Sequence, residues 1–182
     1  MRKVSSSHEG VLQFLLEAGR LKSEARKGWI RKVGITRPES VADHSYRTTL
    51  MAMLFADLRG LDTSRAMRMA ILHDLPEAII GDAMPGETSA IQRRAHEQEA
   101  IEHLLSNLPA PVKSQYSALW LELTENNSDE AKMVRELDKL EMAIQAHEYV
   151  KLGFSKTRLR EFLATAREAV KDDLLRELLS LL

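Results

Sequence analysis

The chain has 182 residues, 26 basic against 27 acidic side chains, a net charge of −1, 44% hydrophobic residues and no cysteine. That length and composition describe one globular domain, and the charge balance leaves no global basic field to hold a nucleic-acid polymer. Without cysteine there is no disulfide, no zinc–thiolate site and no cysteine nucleophile.

No apolar run approaches the roughly 20 residues that cross a bilayer, and the N-terminus lacks the apolar core of a signal peptide. A cytoplasmic protein without a membrane partner is expected. Five prolines, eight glycines and few β-branched runs predict an all-α chain, with residues 1–182 forming a single domain behind a disordered lead over 1–6.

Ser7 is placed to cap a first helix whose apolar side is Val11, Leu12, Leu15, Leu16 and Ala18, before Gly19. The helical pattern fails over 21–39, a basic loop holding Arg26, Lys27, Trp29, Arg31 and Lys32. Such a loop either stays solvated around a plugging Trp29 or faces an anionic, planar ligand. Ser40 then caps a second helix, with Asp43 three residues on as the capping-box acid. On it His44 shares a face with Thr48, Met51 and Phe55, the side that turns inward.

Gly60 ends that helix, Asp62 or Thr63 caps a third, and an apolar run leads to the stretch 72–82. There His73 and Asp74 sit side by side, and Glu77 and Asp82 follow three and eight residues after Asp74. Apolar residues separate them, which points these polar groups into a lined cleft; buried charges need partners or a metal. The alternative is a satisfied core histidine beside acids that cap the next helix. The turn-rich run 83–87 reads as a rim over the cleft.

A polar helix is expected over 91–105, with His96 and His103 exposed or packing, and another up to Leu123 after Pro109 and Pro111. Ser128 caps a long helix from Asp129 to Lys151. On one of its faces, among Ala131, Val134, Met142 and Gln145, lies Asp138, a lone carboxylate that a nearby cation would keep ionised. A salt bridge to Arg135 or Lys139 is the competing account, weakened because both lie on other faces. Residues 156–182 are amphipathic and suit core closure or a subunit contact.

Three helices thus each present metal-capable groups inward: His44, His73 with Asp74, and Asp138. Two imidazoles and two carboxylates suit a divalent transition metal such as manganese, cobalt, zinc, nickel or iron. Such an ion acidifies water and neutralises charge developing on a phosphoryl group.

These residues, with Gly28-Trp29, the run 38–47 (Pro-Glu-Ser-Val-Ala-Asp-His-Ser-Tyr-Arg), Glu77, Gly81-Asp82 and Glu136-Leu137-Asp138-Lys139, resemble the HD-domain metal-dependent phosphohydrolases. More narrowly they resemble the HD-domain 5′-deoxynucleotidases, over about residues 10–155. The resemblance implies a single compact helical HD fold, commonly a homodimer, that hydrolyses deoxynucleoside 5′-monophosphates. It implies His44, His73, Asp74 and Asp138 as metal ligands, Glu77 as the group that orients or deprotonates the attacking water, and Asp82 as a nucleotide contact near the scissile group. Trp29 would crowd the sugar 2′ position. Some members carry an Arg directly before that Trp; here Gly28 stands there, so Arg26 is expected to hold the phosphate, with Arg47 a weaker candidate. Other HD phosphohydrolases, acting on a cyclic nucleotide, a nucleoside triphosphate or an alarmone, are the competing enzymes, and a non-catalytic metal and nucleotide sensor is the competing binding module.

Overall fold

The backbone of residues 2–83 and 89–182 is described in a computed structural model, with side chains from residue 8 onward. All regular structure among the described residues is helical: α1 (Arg2–Ala18), α2 (Val41–Arg59), α3 (Thr63–Leu72), α4 (Glu77–Ile80), α5 (Ala90–Ser106), α6 (Ala110–Glu125), α7 (Asp129–Lys151), α8 (Lys156–Ala169) and α9 (Asp173–Ser180). Of the expected rim over 83–87, residues 84–87 lie outside the described residues.

Helix starts follow local chemistry. The Ser40 hydroxyl accepts from the Asp43 backbone N–H while the Asp43 carboxylate accepts from the Ser40 N–H, closing the capping box and fixing where α2 begins. Asp62, Ser128 and Ser155 cap α3, α7 and α8 in the same one-sided way. Gly60, left-handed at φ 66°, ends α2. Helix α1 differs from expectation: it starts at Arg2, ahead of Ser7. The 21–39 loop is also more ordered than its sequence suggests. It carries a short 3-10 turn (Gly19–Lys22) and a π-helical turn (Trp29–Val33).

Helix α2 packs against α3 and α7, and α7 lies along α8, so α2, α3 and α7 form the centre of the molecule. Their shared core is built from Ala52, Phe55, Met69, Leu72, Leu137 and Leu140. Small residues at the crossings (Ala52, Ala56, Ala66, Ala70, Ala143) bring the backbones close. Helix α9 contributes to core closure through buried Leu175 and Leu179. A second apolar cluster joins Trp29, Val33 and Ile35 to Tyr149 of α7 and to Leu159 and Phe162 of α8, which fastens the basic loop to the bundle. The loop is tied again at its ends, where Arg26 N donates to Glu39 O (3.2 Å) and Val41 N to Glu24 O (2.8 Å). Among the described residues, no helix is long and apolar enough to cross a membrane.

Candidate metal centre

The capping box sets the first turn of α2, and that turn places His44 inward, with no exposed surface. Its Nε2 lies 3.2 Å from Nε2 of His73, 3.2 Å from Oδ1 of Asp138 and 3.5 Å from Oδ2 of Asp74. His73, just past the end of α3, has its Nε2 3.0 Å from Oδ2 of Asp74. Four side chains from three segments of the chain therefore meet at one point.

The remaining ring nitrogens determine what those atoms offer. Nδ1 of His44 bonds Glu141, and Nδ1 of His73 donates to Ala70 O at 2.6 Å. With the proton on each Nδ1, both Nε2 atoms turn a lone pair toward the same point that two carboxylates face. Lone pairs and carboxylates packed this way repel unless a cation lies between them. Two ligands at about 2.1 Å from a shared ion lie about 3.0 Å apart at a right angle and about 3.4 Å apart at a tetrahedral one, close to the spread of separations observed. The donor set fits a divalent metal, and His44, His73 and Asp74 cluster tightly enough to hold one.

Electrostatics agree. Burial and Arg26 oppose charge on His44, but its bonds to Asp138 and Glu141 outweigh them and raise it to about 10, so its acid neighbours favour positive charge at this point. Asp74 is held well below the usual carboxylate range: burial opposes this, and His73, Arg26 and His44 win. Asp138 is likewise depressed against its burial, by Lys139 first and then the two histidines.

Asp138 lies where the sequence reading required, but one expectation about it fails. The Lys139 ammonium reaches round to Oδ2 of Asp138 at 2.8 Å, despite the different helix face. A long flexible stem allows that, and Oδ1 stays with His44. Arg135 instead donates to the carbonyls of Leu123 and Thr124 at the end of α6 (3.2 and 3.0 Å).

A cleft of about 190 Å³ opens beside these four side chains, lined among others by Arg26, Trp29, Glu77, Asp82, Arg93 and Phe162. Arg26, expected to hold the phosphate, lines this cleft with Nη1 3.2 Å from Oδ2 of Asp74. Gly28 turns the chain past α8, where a Cβ would come to 3.4 Å from the Phe162 ring. Trp29 is 1% exposed, stacks on Phe162 at 4.1 Å between centroids and donates from Nε1 to Glu39 (2.9 Å). Its role as core plug and its place on the cleft wall are both real. Glu39 itself is raised to about 7 by burial and by nearby Glu141.

Glu77 opens α4, and its buried Oε2 has no hydrogen-bond partner among the described residues. Burial and Asp74 raise it to about 9. Asp82 holds the basic loop down: its Oδ2 accepts from Lys27 N (2.6 Å), its carbonyl from Lys27 Nζ (2.7 Å), and its N–H donates to Glu24 (2.9 Å). Gly81 permits this at φ 75°, where a Cβ would come to 3.1 Å from Glu24 and Lys27.

Arg47 is not brought to the cleft. Its guanidinium is bound by Glu141, Gln145 and Glu148 of α7, so the expectation that it holds phosphate lacks support from its position. Lys139, named from sequence only as a salt-bridge partner of Asp138, also lines the cleft. Two residues at the site were missed from sequence. Arg93 of α5 lines the cleft and bonds Glu97 (2.7 Å). The other is Glu141, fully buried against His44. A signal existed for it: Glu141 follows Leu137 by four residues and precedes Ile144 by three, a second carboxylate inside an apolar stripe.

An all-helical bundle with two histidines and two aspartates converging on one point defines a metal-site protein of HD-domain type. Residues 18–178 match the HD domain family, and the chain belongs to it. It is 42% identical over 159 residues to the 5′-deoxynucleotidase HDDC2 of Xenopus laevis, covering 87% of this chain and 78% of that one. The Homo sapiens protein of the same name is 39% identical over 153 residues, covering 84% and 74%. A conserved hypothetical protein from Pyrococcus furiosus superposes with a TM-score of 0.77 at 33% identity, over 93% of this chain and 96% of that one.

Proposed function

We infer that this protein is a metal-dependent 5′-deoxynucleotidase, converting deoxynucleoside 5′-monophosphates to deoxynucleosides and phosphate. The observation that carries the reading is the meeting of His44, His73, Asp74 and Asp138 beside a cleft that Arg26 and Trp29 also line. The HDDC2 proteins of Xenopus laevis and Homo sapiens, 42% and 39% identical, carry that activity in their names.

His44, His73, Asp74 and Asp138 would hold the cation. When bound, it neutralises charge on the phosphoryl oxygens and lowers the pKa of water. Arg26 offers a planar fork to the phosphate, and Trp29 crowds the sugar edge where a ribonucleotide carries its 2′-hydroxyl. Glu77 takes a proton from the attacking water as the water oxygen bonds phosphorus and the bond from phosphorus to the 5′-oxygen breaks, and that proton is returned to the 5′-oxygen to give the nucleoside hydroxyl. Burial and Asp74 raise Glu77; a cation held by the four residues would oppose both effects and free the carboxylate for that role. Asp82 keeps Arg26 and Lys27 folded over the centre and stands near the scissile group.

Several finer points belong to the same reading. The metal is a divalent transition ion, with manganese and cobalt the first to try. The protein works as a homodimer in the cytoplasm. Exposed Leu15 of α1 and Tyr46 and Leu50 of α2, which line one apolar depression, support the dimer as side chains a second copy would cover. Sedimentation of the purified protein tests it, and a monomer at micromolar concentration removes it.

Arg93, Lys32 of the basic loop and Lys139 add cations to the cleft besides Arg26, which favours a triphosphate-cleaving HD phosphohydrolase as the second reading. Each of the three is paired with an acid: Glu97, Glu161 and Asp138. One panel separates the readings. Chelator-stripped protein receives manganese or cobalt, and phosphate release is followed on deoxy- and ribonucleoside mono- and triphosphates. Release from deoxynucleoside monophosphates above all others is the expected result. Faster cleavage of triphosphates supports the second reading, and nucleotide binding without release under any cation supports a sensor.

A further inference from the structure

The metal-centre residues rest on a second layer that the reaction does not itself use. Glu141 is 0% exposed, and both its oxygens are committed. One bonds Nδ1 of His44, and the other accepts from Nε of Arg47 at 2.8 Å. The Arg47 guanidinium continues to Glu148 (2.8 and 2.9 Å) and to Oε1 of Gln145 (2.6 Å). Glu141, Gln145 and Glu148 occupy successive turns of α7, so an arginine of α2 is clamped along α7 and holds the buried carboxylate in place. A buried charge is costly unless matched on both sides, and here it is.

We propose that Glu141, held by Arg47, is a positioning residue for the metal centre: it binds the proton on Nδ1 of His44 and so leaves the Nε2 lone pair directed at His73, Asp74 and Asp138. A carboxylate only accepts hydrogen bonds, so it allows just one placement of the imidazole proton. An amide of the same size can instead donate to Nδ1, which moves the proton to Nε2 and removes the lone pair that a cation needs. Arg47 keeps this carboxylate from turning away from His44, a function unlike the phosphate contact expected of it. The inference rests on the metal-site reading of the four ligands but requires no substrate.

The test measures cation affinity by titration calorimetry on the chelator-stripped full chain, with manganese and with zinc, for wild type, Glu141→Gln and Arg47→Met. Glu141→Gln is expected to weaken affinity about 10- to 100-fold and Arg47→Met by about tenfold, with circular dichroism unchanged. Nitrogen-15 spectra of the zinc-loaded protein, zinc being diamagnetic, should show the His44 proton on Nδ1 in wild type and a mixture of tautomers in Glu141→Gln. Affinities within about twofold of wild type in both variants, or a wild-type His44 without a proton on Nδ1, overturn the inference. So does an Arg47→Met variant with unchanged metal affinity and a raised KM for deoxynucleotide, which would make Arg47 a phosphate holder. If Glu141→Gln does not fold, Arg47→Met and the wild-type spectrum still decide. A wild type that binds no divalent cation overturns the metal-site reading itself, a different outcome from binding that Glu141→Gln leaves intact.

Discussion

Arg26 and Asp74 stand 48 residues apart in the chain, yet Nη1 of one lies 3.2 Å from Oδ2 of the other. The arginine faces an acid cluster: its pKa is raised, with burial working against it and Asp74, Asp138, Glu77 and Asp82 working for it. It therefore balances the negative charge of the acids around the cleft.

Arg26→Gln should lower kcat/KM for deoxynucleoside monophosphates by about 10²- to 10³-fold, the usual loss when one donor to developing charge is removed. Arg26→Lys should recover only part of that, because an ammonium keeps the charge and loses the two-pronged geometry. Steady-state phosphate release checks both. A Gln variant within about threefold of wild type would pass the phosphate to Arg93, the other guanidinium on the cleft.

Metal should act on stability as well as on rate. A ligand that binds only the folded state stabilises it by about 4 kcal/mol at a thousand times Kd, which for a chain of this size is a rise in Tm of about 10 °C. Thermal melts of stripped protein with and without manganese measure it. His73→Ala and Asp138→Asn should each lose most of the rise. Its survival in Asp138→Asn would remove Asp138 from the ligand set, whatever its 3.2 Å separation from His44.

Of the four residues at the candidate centre, His44 and Asp138 were legible because each is a polar residue at an inward helical position, which periodicity reveals, and His73 with Asp74 because an apolar helical run ends on them. Helix starts were legible because a cap is a contact over three residues, as at Ser40 with Asp43. Arg47 shows where such reading ends. Its partners are 94, 98 and 101 residues away, so no local pattern says whether its charge is free for a ligand or already bound. Lys139 fails for the opposite reason: its stem is long enough to leave the helix face that the count assigns it. Glu141 was readable by the argument applied to Asp138, since both interrupt the same apolar side of α7.

Glu77 should matter to turnover more than to binding. Its Oε2 is buried and unpartnered among the described residues. Glu77→Gln keeps the shape and removes the base, so kcat should fall by about 10²- to 10⁴-fold with KM changed little. Single-turnover phosphate release separates the two constants. A variant that lost only KM would make Glu77 a binding group.

Trp29 carries two duties, so its substitution needs care. It fills the cluster with Phe162 and Tyr149, and Trp29→Ala should cost about 3–5 kcal/mol of stability by leaving a cavity. Trp29→Phe keeps most of the stacking and removes the indole edge that bonds Glu39. The ratio of kcat/KM for dAMP over AMP should then fall by about tenfold, the order a single steric contact supplies. An unchanged ratio would mean that another wall of the cleft distinguishes the sugars.

The last prediction concerns α9 and the sign of a pH effect. Asp172 caps that helix, its Oδ1 accepting from Leu175 N at 3.0 Å, and it pairs with Arg59 in the last turn of α2. Its carboxyl is depressed: burial pushes the other way, and the helix N–H and Arg59 prevail. A carboxyl whose folded pKa lies below its unfolded value of about 3.9 stabilises fully above that value and loses the contribution as pH falls through the folded one. Asp172→Asn keeps an acceptor at the cap and lacks the charge. It should therefore melt below wild type at pH 7, with a gap that closes as the pH drops past about 4. Asp172→Ala lacks the acceptor too and should stay about 1 kcal/mol less stable through the same range. Melts of the three proteins from pH 7 to pH 3 check this, and a gap between wild type and Asn that widened on acidification would contradict the role given to Arg59.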